Sequence, residues 1–545
     1  MKSYRTLSPQ KAKELFKSQE VFALLDVREQ EEFSRAHLLL ASCAPLSRLE
    51  FLAEKLVPCK NTLVVLLDDG NEGVNSRAHR GAAVLARLGY CAISVLDGGL
   101  VAWKEAGYVT VTGVGALSKG FGEYVESVQQ TPRLTPEEIK TLADAGADMV
   151  IIDVRPREEY LNMHVPGAVN APGCEITYRL FDLAPNPDTR VLISCAGRTR
   201  SIIGTQTLRN AGIPNPVAAL QGGTMNWRLS GFELECGVMP RTAPPSAEGL
   251  DVARQRAAVV AARYGVSFVD AATVRQWQDE AETSPLYLFD VRQPEEYAAG
   301  HLPGSRNAPG GQLVQATDEY AAVRNARFVL IDDTEVRAVM TAHWLVQMGL
   351  PRIAVLKGGL GGSGFGREGL EYGPEPAAIP ALPPASNGRA PRSLPPGGLT
   401  EMRVNAASPL VINVGMSDIH RKGHIPGAVW VPRGYLKKAA EKYPSPSSVV
   451  LTADNGSHAV LAAHDAMPLW PETDIFVLDG GTSAWTGAGL TLETGMPEAL
   501  SPEDDIWYKP YTDVNASPDA MRGYFDWEFG LVDKILEDGC VNFRL

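Results

Sequence analysis

One short pattern recurs four times along the chain, and this internal repeat constrains the fold more than any other feature. The first copy begins with Asp26-Val27-Arg28, and His37 follows the aspartate by eleven residues. The same offset separates the first residue from a histidine in the other copies, at Asp153 and His164, Asp290 and His301, and Asn413 and His424. Each copy closes with a glycine pair, at Gly98-Gly99, Gly222-Gly223, Gly358-Gly359 and Gly480-Gly481. We therefore expect four tandem domains of one architecture.

Within a copy, short apolar runs alternate with helical patterns. In the second copy these runs are Val150-Ile151-Ile152, Val191-Leu192-Ile193 and Val217-Ala218-Ala219-Leu220. Such near-continuous apolar runs are typical of parallel strands that are covered on both faces. Ser8-Pro9 and Thr135-Pro136 are helix-start signals that open the first two copies. The sequence therefore predicts an α/β protein, in which each copy is a small central parallel β-sheet with helices on both faces.

The repeats and the segments between them divide the chain. We predict four units, which are unit one at 1–108, unit two at 131–236, unit three at 266–360 and unit four at 394–491. The connecting segments are a glycine-rich linker at 109–130, a linker with a helix from Glu248 to Tyr264 at 237–265, and a Gly/Pro-rich linker at 361–393. The remaining residues 492–545 form a tail rich in aromatic side chains, which we expect to pack across the protein or a partner subunit. A role of this tail as a lid over the substrate stays open as the alternative.

One cysteine stands where an apolar strand becomes a helix. Cys195 directly follows Val191-Leu192-Ile193-Ser194 and precedes a helical pattern from Ser201 to Ala211. Such a turn directs backbone N–H groups and the positive end of the helix dipole toward one point. Arg198 and Arg200 add two cations beside it. We therefore predict an anion site in which the thiol loses its proton more readily than an ordinary cysteine.

The other three units have no cysteine at the matching position. Alignment on strand and helix spacing places Asp68, Asp332 and Ala453 there. An aspartate or alanine side chain cannot carry a covalently bound sulfur atom. We therefore expect units one, three and four to be catalytically inactive.

Taken together, these motifs resemble the rhodanese (thiosulfate sulfurtransferase) family. They are the Asp-Val-Arg segment, the His164-to-Gly167 segment, the cysteine loop, and the glycine pair followed by Trp227. The resemblance implies four tandem rhodanese-like domains that move a sulfane sulfur from thiosulfate or a similar donor to a thiophilic acceptor, such as cyanide or a thiol, through a cysteine persulfide. It assigns Cys195 as the catalytic residue. The residues that would bind substrate are Ala196, Gly197, Arg198, Thr199, Arg200 and Ser201. No cofactor and no metal are expected.

Two other classes of function stay open. A scaffold of rhodanese modules, or a relay that delivers sulfur to a protein acceptor, would account for the three units without cysteine. Cysteine-loop phosphatases and arsenate reductases share the loop-before-helix design. A related phosphatase loop carries arginine six positions after the cysteine, whereas Arg200 is five positions after Cys195. The shorter loop favours sulfur transfer.

Some polar residues of unit two have a simpler structural interpretation. Arg155 and Glu159 recur in units that lack the cysteine, so we predict an ion pair between them that pins the segment after the strand. His164 recurs in all four units and is predicted to be a hydrogen-bonded turn histidine rather than a general base. Whether Cys174 or Cys236 resolves a persulfide on Cys195 is left open, because sequence does not give their distances.

The net charge of −13 disfavours nucleic acid or an anionic membrane as a partner. No stretch approaches the roughly 18 apolar residues of a membrane span, and no signal peptide is recognisable. The seven cysteines are scattered, which is typical of a reducing compartment. We therefore predict a cytoplasmic protein that acts on a small-molecule donor and acceptor. The aromatic tail is the basis for expecting a homodimer.

Overall fold

The structure is a computed structural model. It describes residues 4–70, 76–239, 244–362, 364–365, 369–375, 390–404, 408–454 and 456–545. Much of the segment predicted as a Gly/Pro-rich linker, including Ser363 where the other units have tryptophan, lies outside the described residues.

The described residues of unit one form five strands and five helices. The strands are β1 (Arg5–Leu7), β2 (Phe22–Asp26), β3 (Ser42–Cys43), β4 (Leu63–Leu67) and β5 (Ile93–Leu96). The helices are α1 (Pro9–Lys17), α2 (Gln30–Arg35), α3 (Leu49–Leu56), α4 (Arg77–Arg87) and α5 (Gly99–Glu105). Helix α6 (Ala116–Gln129) follows and connects unit one to unit two.

Unit two has the same sequence of elements. Its strands are β6 (Arg133–Leu134), β7 (Met149–Asp153), β8 (Val169–Asn170), β9 (Arg190–Ser194) and β10 (Val217–Leu220). Its helices are α7 (Pro136–Asp144), α8 (Arg157–Asn162), α9 (Glu175–Leu183), α10 (Thr199–Asn210) and α11 (Gly223–Leu229). Helix α12 (Ala247–Tyr264) then leads to unit three and confirms the helix predicted in this connection.

Unit three adds one extra short helix and one extra strand. Its strands are β11 (Ser267–Val269), β12 (Leu286–Asp290), β13 (Arg306–Asn307), β14 (Val323–Arg324), β15 (Arg327–Ile331) and β16 (Ile353–Leu356). Its helices are α13 (Ala271–Asp279), α14 (Pro294–Ala298), α15 (Gly310–Gln315), α16 (Thr317–Tyr320), α17 (Val336–Gln347) and α18 (Gly359–Gly362).

Unit four returns to the basic pattern, and the tail is helical. The strands are β17 (Arg392–Leu394), β18 (Leu410–Asn413), β19 (Val429–Trp430), β20 (Ser448–Thr452) and β21 (Asp474–Leu478). The helices are α19 (Pro396–Val404), α20 (Ser417–Lys422), α21 (Leu436–Lys442), α22 (Ser457–Ala466) and α23 (Gly481–Gly487), with a 3₁₀ turn at Arg433–Tyr435. The tail contains a 3₁₀ turn at Pro510–Thr512, then α24 (Pro518–Phe529) and α25 (Leu531–Asp538).

The four sheets share one topology, which confirms the predicted α/β class. In unit two the parallel strands lie in the order β6-β10-β9-β7-β8, and the corresponding strands of the other units follow the same order. Strand β14 of unit three pairs antiparallel with β2, through Val323 and Ala23, and so extends the sheet of unit one. The two units are therefore joined at a sheet edge.

Alternating side chains explain why the strand sequences are apolar throughout. In unit two, Ile152 and Ile193 pack into a core on one face of the sheet. Their neighbours Ile151 and Leu192 pack into a separate core on the other face. Because both faces are covered by helices, both positions of the alternation have to be apolar.

The segment 109–130, predicted to be a glycine-rich linker, is largely the helix α6. Phe121 of α6 is fully buried. Two of the glycines serve close packing: a Cβ atom on Gly120 would lie 2.2 Å from Ile535, and one on Gly122 would lie 2.7 Å from the methyl group of Thr199. The segment connects the two units as a helix, and its glycines let the tail and the Cys195 loop approach that helix.

Neighbouring units are joined by polar contacts between buried side chains. Trp344 of unit three donates its indole N–H to Thr207 of unit two at 2.8 Å. Arg433 of unit four binds Glu50 of unit one through two hydrogen bonds of 2.6 and 2.8 Å. The units therefore pack as one assembly rather than as separate domains on flexible links.

Candidate active site

Cys195 lies at the carboxyl end of β9, where the chain turns into α10. Its side chain is almost fully buried, with 1% of the residue exposed. The thiol donates to the Ser201 hydroxyl oxygen at 3.5 Å, and that hydroxyl donates to the Arg198 carbonyl oxygen at 2.8 Å. The loop therefore closes around the sulfur atom.

The segment at the second glycine of the repeated pair packs against the backbone of this loop. Thr224 N–H donates to the Cys195 carbonyl oxygen at 2.8 Å. Gly223 has φ +57°, and a Cβ atom there would lie only 2.3 Å from the same oxygen. A residue other than glycine would therefore displace the loop.

The same backbone contact identifies the matching residues in the other units. The carbonyl oxygens of Asp68, Asp332 and Ala453 accept N–H groups from Leu100, Leu360 and Thr482, each at 2.9 Å. These are the three positions aligned with Cys195 from the sequence.

In units one and three the aspartate carboxylate occupies the loop. Asp332 accepts the backbone N–H of Glu335 at 2.7 Å and of Arg337 at 3.0 Å. Asp68 likewise accepts the N–H groups of Gly70 and Ala78, at 2.9 and 2.7 Å. A built-in anion therefore satisfies N–H groups of the loop where the cysteine is absent.

Both cations that the sequence places beside the thiol are paired with carboxylates. Arg200 donates to both carboxylate oxygens of Glu159, at 2.8 and 2.7 Å. Arg198 donates to Glu123 of α6 at 2.8 and 2.7 Å and also binds Glu126. Both guanidinium groups are thus neutralised by carboxylates that lie far away in the sequence.

The prediction of an ion pair between Arg155 and Glu159 is wrong. Arg155 instead binds Asp153 at 2.9 and 2.7 Å, while Glu159 binds Arg200. Units one and three repeat both pairs, with Arg28 on Asp26, Arg77 on Glu32, Arg292 on Asp290 and Arg337 on Glu296. An arginine at the Arg200 position is therefore not restricted to the loop with cysteine.

The thiol is not acidified in this structure. Burial raises the pKa of Cys195 above its ordinary value, and Arg200 and the Ser201 hydrogen bonds only partly oppose that effect. The expectation of a readily ionised thiol took account of the nearby cations but not of the burial of the sulfur atom. A mechanism that uses the thiolate therefore needs an acceptor for the proton.

The tail covers the Cys195 loop. A small cleft borders Cys195. Its walls are the loop residues 195–200 together with Lys119, Gln315, Tyr511, Tyr524 and Glu528. These last five come from α6, unit three and the tail, and the sequence pointed to none of them individually. The density of aromatic residues in the tail was the only signal that it packs on the protein.

His164 has the predicted structural role. It is fully buried, its Nδ1 lies 2.8 Å from the Tyr160 carbonyl oxygen, and its ring stacks on Tyr160. The matching histidines of the other units make the same contact to the carbonyl oxygen four residues earlier, at His37, His301 and His424. A group that is built identically in all four units belongs to the fold.

All seven cysteines are unbridged. Cys174 is buried and Cys236 is exposed. Among the residues that the structure describes, no cluster of three or more His, Cys, Asp or Glu side chains could hold a metal ion. The described helices also include none that is both long and apolar enough to span a membrane.

Comparison with known proteins shows the family to which this chain belongs. The family model of the rhodanese-like domain matches residues 8–106, 135–230, 270–362 and 400–488. These matches cover more than half of the chain, and the protein therefore belongs to the rhodanese-like domain family.

One solved structure resembles the whole chain. A thiosulfate sulfurtransferase from Pseudomonas aeruginosa is 44% identical, with 99% of each chain covered and a TM-score of 0.93. The curated relatives each match over a short stretch. They include an HTH-type transcriptional regulator of Mycobacterium tuberculosis, 33% identical over 19% of this chain and 45% of that protein, and an uncharacterized protein of Synechocystis, 34% identical over 19% of this chain and 55% of that protein. The chain thus spans about half the length of these curated relatives.

Proposed function

We propose that this protein is a sulfurtransferase that moves a sulfane sulfur from thiosulfate or a similar donor to a small thiophilic acceptor through a persulfide on Cys195. One observation carries the proposal. Of the four matching strand ends, only that of unit two presents a sulfur atom, and the counterpart loops of units one and three hold a carboxylate in that place. The likeness to the Pseudomonas aeruginosa enzyme supports the same activity.

In the first half-reaction, the Cys195 thiolate attacks the outer sulfur of the donor. A new S–S bond forms on Cys195, the S–S bond of thiosulfate breaks, and its electron pair leaves with sulfite. In the second half-reaction, the acceptor takes the terminal sulfur and the thiolate is regenerated. The kinetics are ping-pong, because sulfite leaves before the acceptor reacts.

Unit three indicates how the loop 196–201 binds the donor. The Asp332 carboxylate is held by N–H groups three and five residues further on, at Glu335 and Arg337. The same positions in unit two are Arg198 and Arg200. We infer that the donor anion is bound by these backbone N–H groups, while the two guanidinium groups hold the loop through their carboxylate partners.

The covered site favours small substrates. Cys195 is 1% exposed beneath Tyr511, Tyr524 and Glu528. A cyanide ion or small thiol fits such a cleft, whereas the cysteine of a folded protein would reach Cys195 only if the tail moved away. This supports a small-molecule acceptor over a protein sulfur relay.

The three units without cysteine have a supporting role in this proposal. Unit three contributes Gln315 to the wall of the cleft, and the sheet of unit one is extended by β14. Tail aromatic residues such as Tyr511 and Tyr524 are buried against their own chain, so the tail no longer argues for a homodimer. A homodimer and a cytoplasmic location both remain predictions.

The test is to incubate the purified protein with thiosulfate and measure its intact mass. We expect a gain of one sulfur atom that Cys195→Ser abolishes and the matched control Cys236→Ser retains, since Cys236 is an exposed cysteine of the same unit. Added cyanide should then release thiocyanate. Phosphatase turnover without any sulfur uptake would overturn the proposal.

A further inference from the structure

Glu528 of helix α24 is a buried carboxylate without an evident structural purpose. Only 1% of the residue is exposed. Its Oε1 accepts a hydrogen bond from the Thr199 hydroxyl at 3.3 Å, but its Oε2 has no hydrogen-bond partner among the described residues. A buried carboxylate oxygen without a partner costs stability, so its presence calls for an explanation.

That oxygen is directed at the cysteine loop. A Cβ atom on Gly197, two residues after Cys195, would lie 3.6 Å from Glu528 Oε2 and 3.6 Å from the Tyr524 ring. Glu528 and Cys195 line the same small cleft. The carboxylate and the thiol therefore border the same small space, which a donor or acceptor has to enter.

We propose that Glu528 is the catalytic base that accepts the proton of the Cys195 thiol when sulfur is loaded. This inference rests on the proposed sulfurtransferase function. It assigns the proton transfer to a residue of the C-terminal tail, which lies outside all four repeats.

The charged and titratable groups around Glu528 come from three elements. They are Lys119 and Glu123 of α6, Cys195, Arg198 and Arg200 of the loop, and Tyr511 and Tyr524 of the tail. Glu123 is bound to Arg198, and Arg200 is bound to Glu159, so neither arginine neutralises Glu528 directly. Lys119 is a further cation beside Glu528, and its ammonium group donates to the Val114 carbonyl oxygen at 2.7 Å. Lys509, Asp318 and Glu319 in turn act on Lys119.

These surroundings place the protonation change in the physiological range. Burial and the neighbouring Glu123 raise the pKa of Glu528 to about 7, although Lys119 and Arg198 oppose them. Burial lowers the pKa of Lys119 to about 8. A base with a pKa near the working pH is well suited to proton transfer.

The proton transfer also solves an electrostatic problem. A carboxylate in the cleft would repel both a thiolate and a dianionic donor. When the proton moves from Cys195 Sγ to Glu528, directly or through one water molecule, the thiolate forms and the carboxyl becomes neutral at the same moment. The buried thiol then ionises without adding a second negative charge to the cleft.

The step balances without any other reactant. The thiolate forms an S–S bond to the outer sulfur of thiosulfate, and the S–S bond of thiosulfate breaks with its electron pair leaving on sulfite. Protonated Glu528 then returns the proton to the persulfide or to the departing sulfite. The transferred sulfur keeps its oxidation state, so no oxidant or reductant is needed.

The test is the pH dependence of sulfur loading on Cys195 by thiosulfate, measured by rapid quench and intact mass from about pH 5 to about pH 9. In the unmodified protein the rate should rise with pH and reach a plateau near pH 7, where Glu528 loses its proton. In Glu528→Gln the thiol has to ionise unaided. Its rate should be lower by about 100-fold at pH 7 and should keep rising through the range without that plateau.

Two further variants keep the result interpretable. Glu528→Asp retains a carboxylate and should retain the plateau at a reduced rate. Asp526→Asn removes an exposed carboxylate from the same helix and should leave the profile unchanged. Thermal melting of all three variants reports whether α24 stays folded.

The outcomes separate the two proposals. If Glu528→Gln loads sulfur with the plateau of the unmodified protein, Glu528 is not the base, while the sulfurtransferase function stands. If the unmodified protein takes up no sulfur on Cys195 at any pH, the proposed function itself fails.

Discussion

Arg200 and Glu159 form a two-bond ion pair, at 2.8 and 2.7 Å, that ties the start of helix α10 to helix α8. The pair recurs as Arg77 with Glu32 and as Arg337 with Glu296 in units that have no cysteine. In unit two this ion pair has a second effect, because the positive charge of Arg200 opposes the rise in the pKa of Cys195. A contact that belongs to the fold thus also stabilises the thiolate.

Arg200→Gln should therefore lower both stability and thiol reactivity. The variant leaves Glu159 without its cation in a largely buried position, and we expect a loss of about 2–3 kcal/mol in the free energy of unfolding. The pKa of Cys195 should rise further, which the pH dependence of iodoacetamide alkylation measures. The double variant Arg200→Gln/Glu159→Gln serves as the control, since it should recover part of the stability without restoring the reactivity. Unchanged alkylation in Arg200→Gln would contradict the assigned effect.

Gly223→Ala should displace the Cys195 loop. The added Cβ atom would approach the Cys195 carbonyl oxygen to 2.3 Å at a φ of +57°. Gly212→Ala is the matched control, because Gly212 has φ +63° but its nearest neighbour would be 3.6 Å away. We expect the control to lose about 1–2 kcal/mol of stability and keep sulfur uptake. Gly223→Ala should lose more stability and most of its sulfur uptake, and equal effects in both variants would show that the close approach is unimportant.

Trp527→Ala should uncover Cys195. The Trp527 indole N–H donates to the Thr112 carbonyl oxygen at 2.9 Å, and its ring packs against Trp507 and Tyr524 of the tail. Loss of these contacts should weaken the packing of α24 and raise the rate at which a bulky maleimide labels Cys195. The rate should rise about tenfold for each 1.4 kcal/mol by which the free energy of tail packing is reduced. Tyr508→Ala is the control, since Tyr508 is a tail aromatic that is 52% exposed. Labelling at the original rate in Trp527→Ala would argue against the tail as a cover.

His343 should make the protein sensitive to acid. It is fully buried, neither ring nitrogen has a hydrogen-bond partner among the described residues, and burial lowers its pKa to about 3. Below about pH 6.5 the unfolded chain binds a proton at this residue that the folded chain does not. The contribution of neutral His343 to the free energy of unfolding is therefore fully present above that pH and is lost as the pH falls toward 3.

The measurement is chemical denaturation at pH 7 and at about pH 5, with His343→Leu as the comparison. Between pH 7 and about pH 5, we expect the free energy of unfolding of His343→Leu to fall by about 2 kcal/mol less than that of the unmodified protein. Any packing change in the variant affects both measurements equally and cancels in the difference. The same loss in both proteins would mean that His343 is not the acid-sensitive group.

Part of the site could be predicted because it depends on residue identity at one place in the chain. Cys195 follows an apolar strand and precedes a helical pattern, and the matching positions of the other units hold Asp68, Asp332 and Ala453. Comparison among the repeats also explained His164 correctly. The same comparison, extended to Arg77 and Arg337, would have indicated that Arg200 belongs to the fold.

Other features could not be predicted, because their causes lie far apart in the sequence. Glycines such as Gly120 and Gly122 gave α6 the composition of a linker, yet they serve packing against α25 and the Cys195 loop. The pKa of Cys195 was expected to fall because its neighbours in the chain are cationic. Burial by distant segments reversed that outcome.

The sequence by itself therefore determined the four α/β units and the single cysteine loop, since strand and helix periodicity and the identity of one side chain are local properties. Only the tertiary structure decided what surrounds that cysteine. Arg198 meets Glu123 across 75 residues of chain, and Thr199 meets Glu528 across 329. Partners at such separations are chosen by the packing of helices α6 and α24 on the loop, and that packing sets which charges face the sulfur atom and which are already paired.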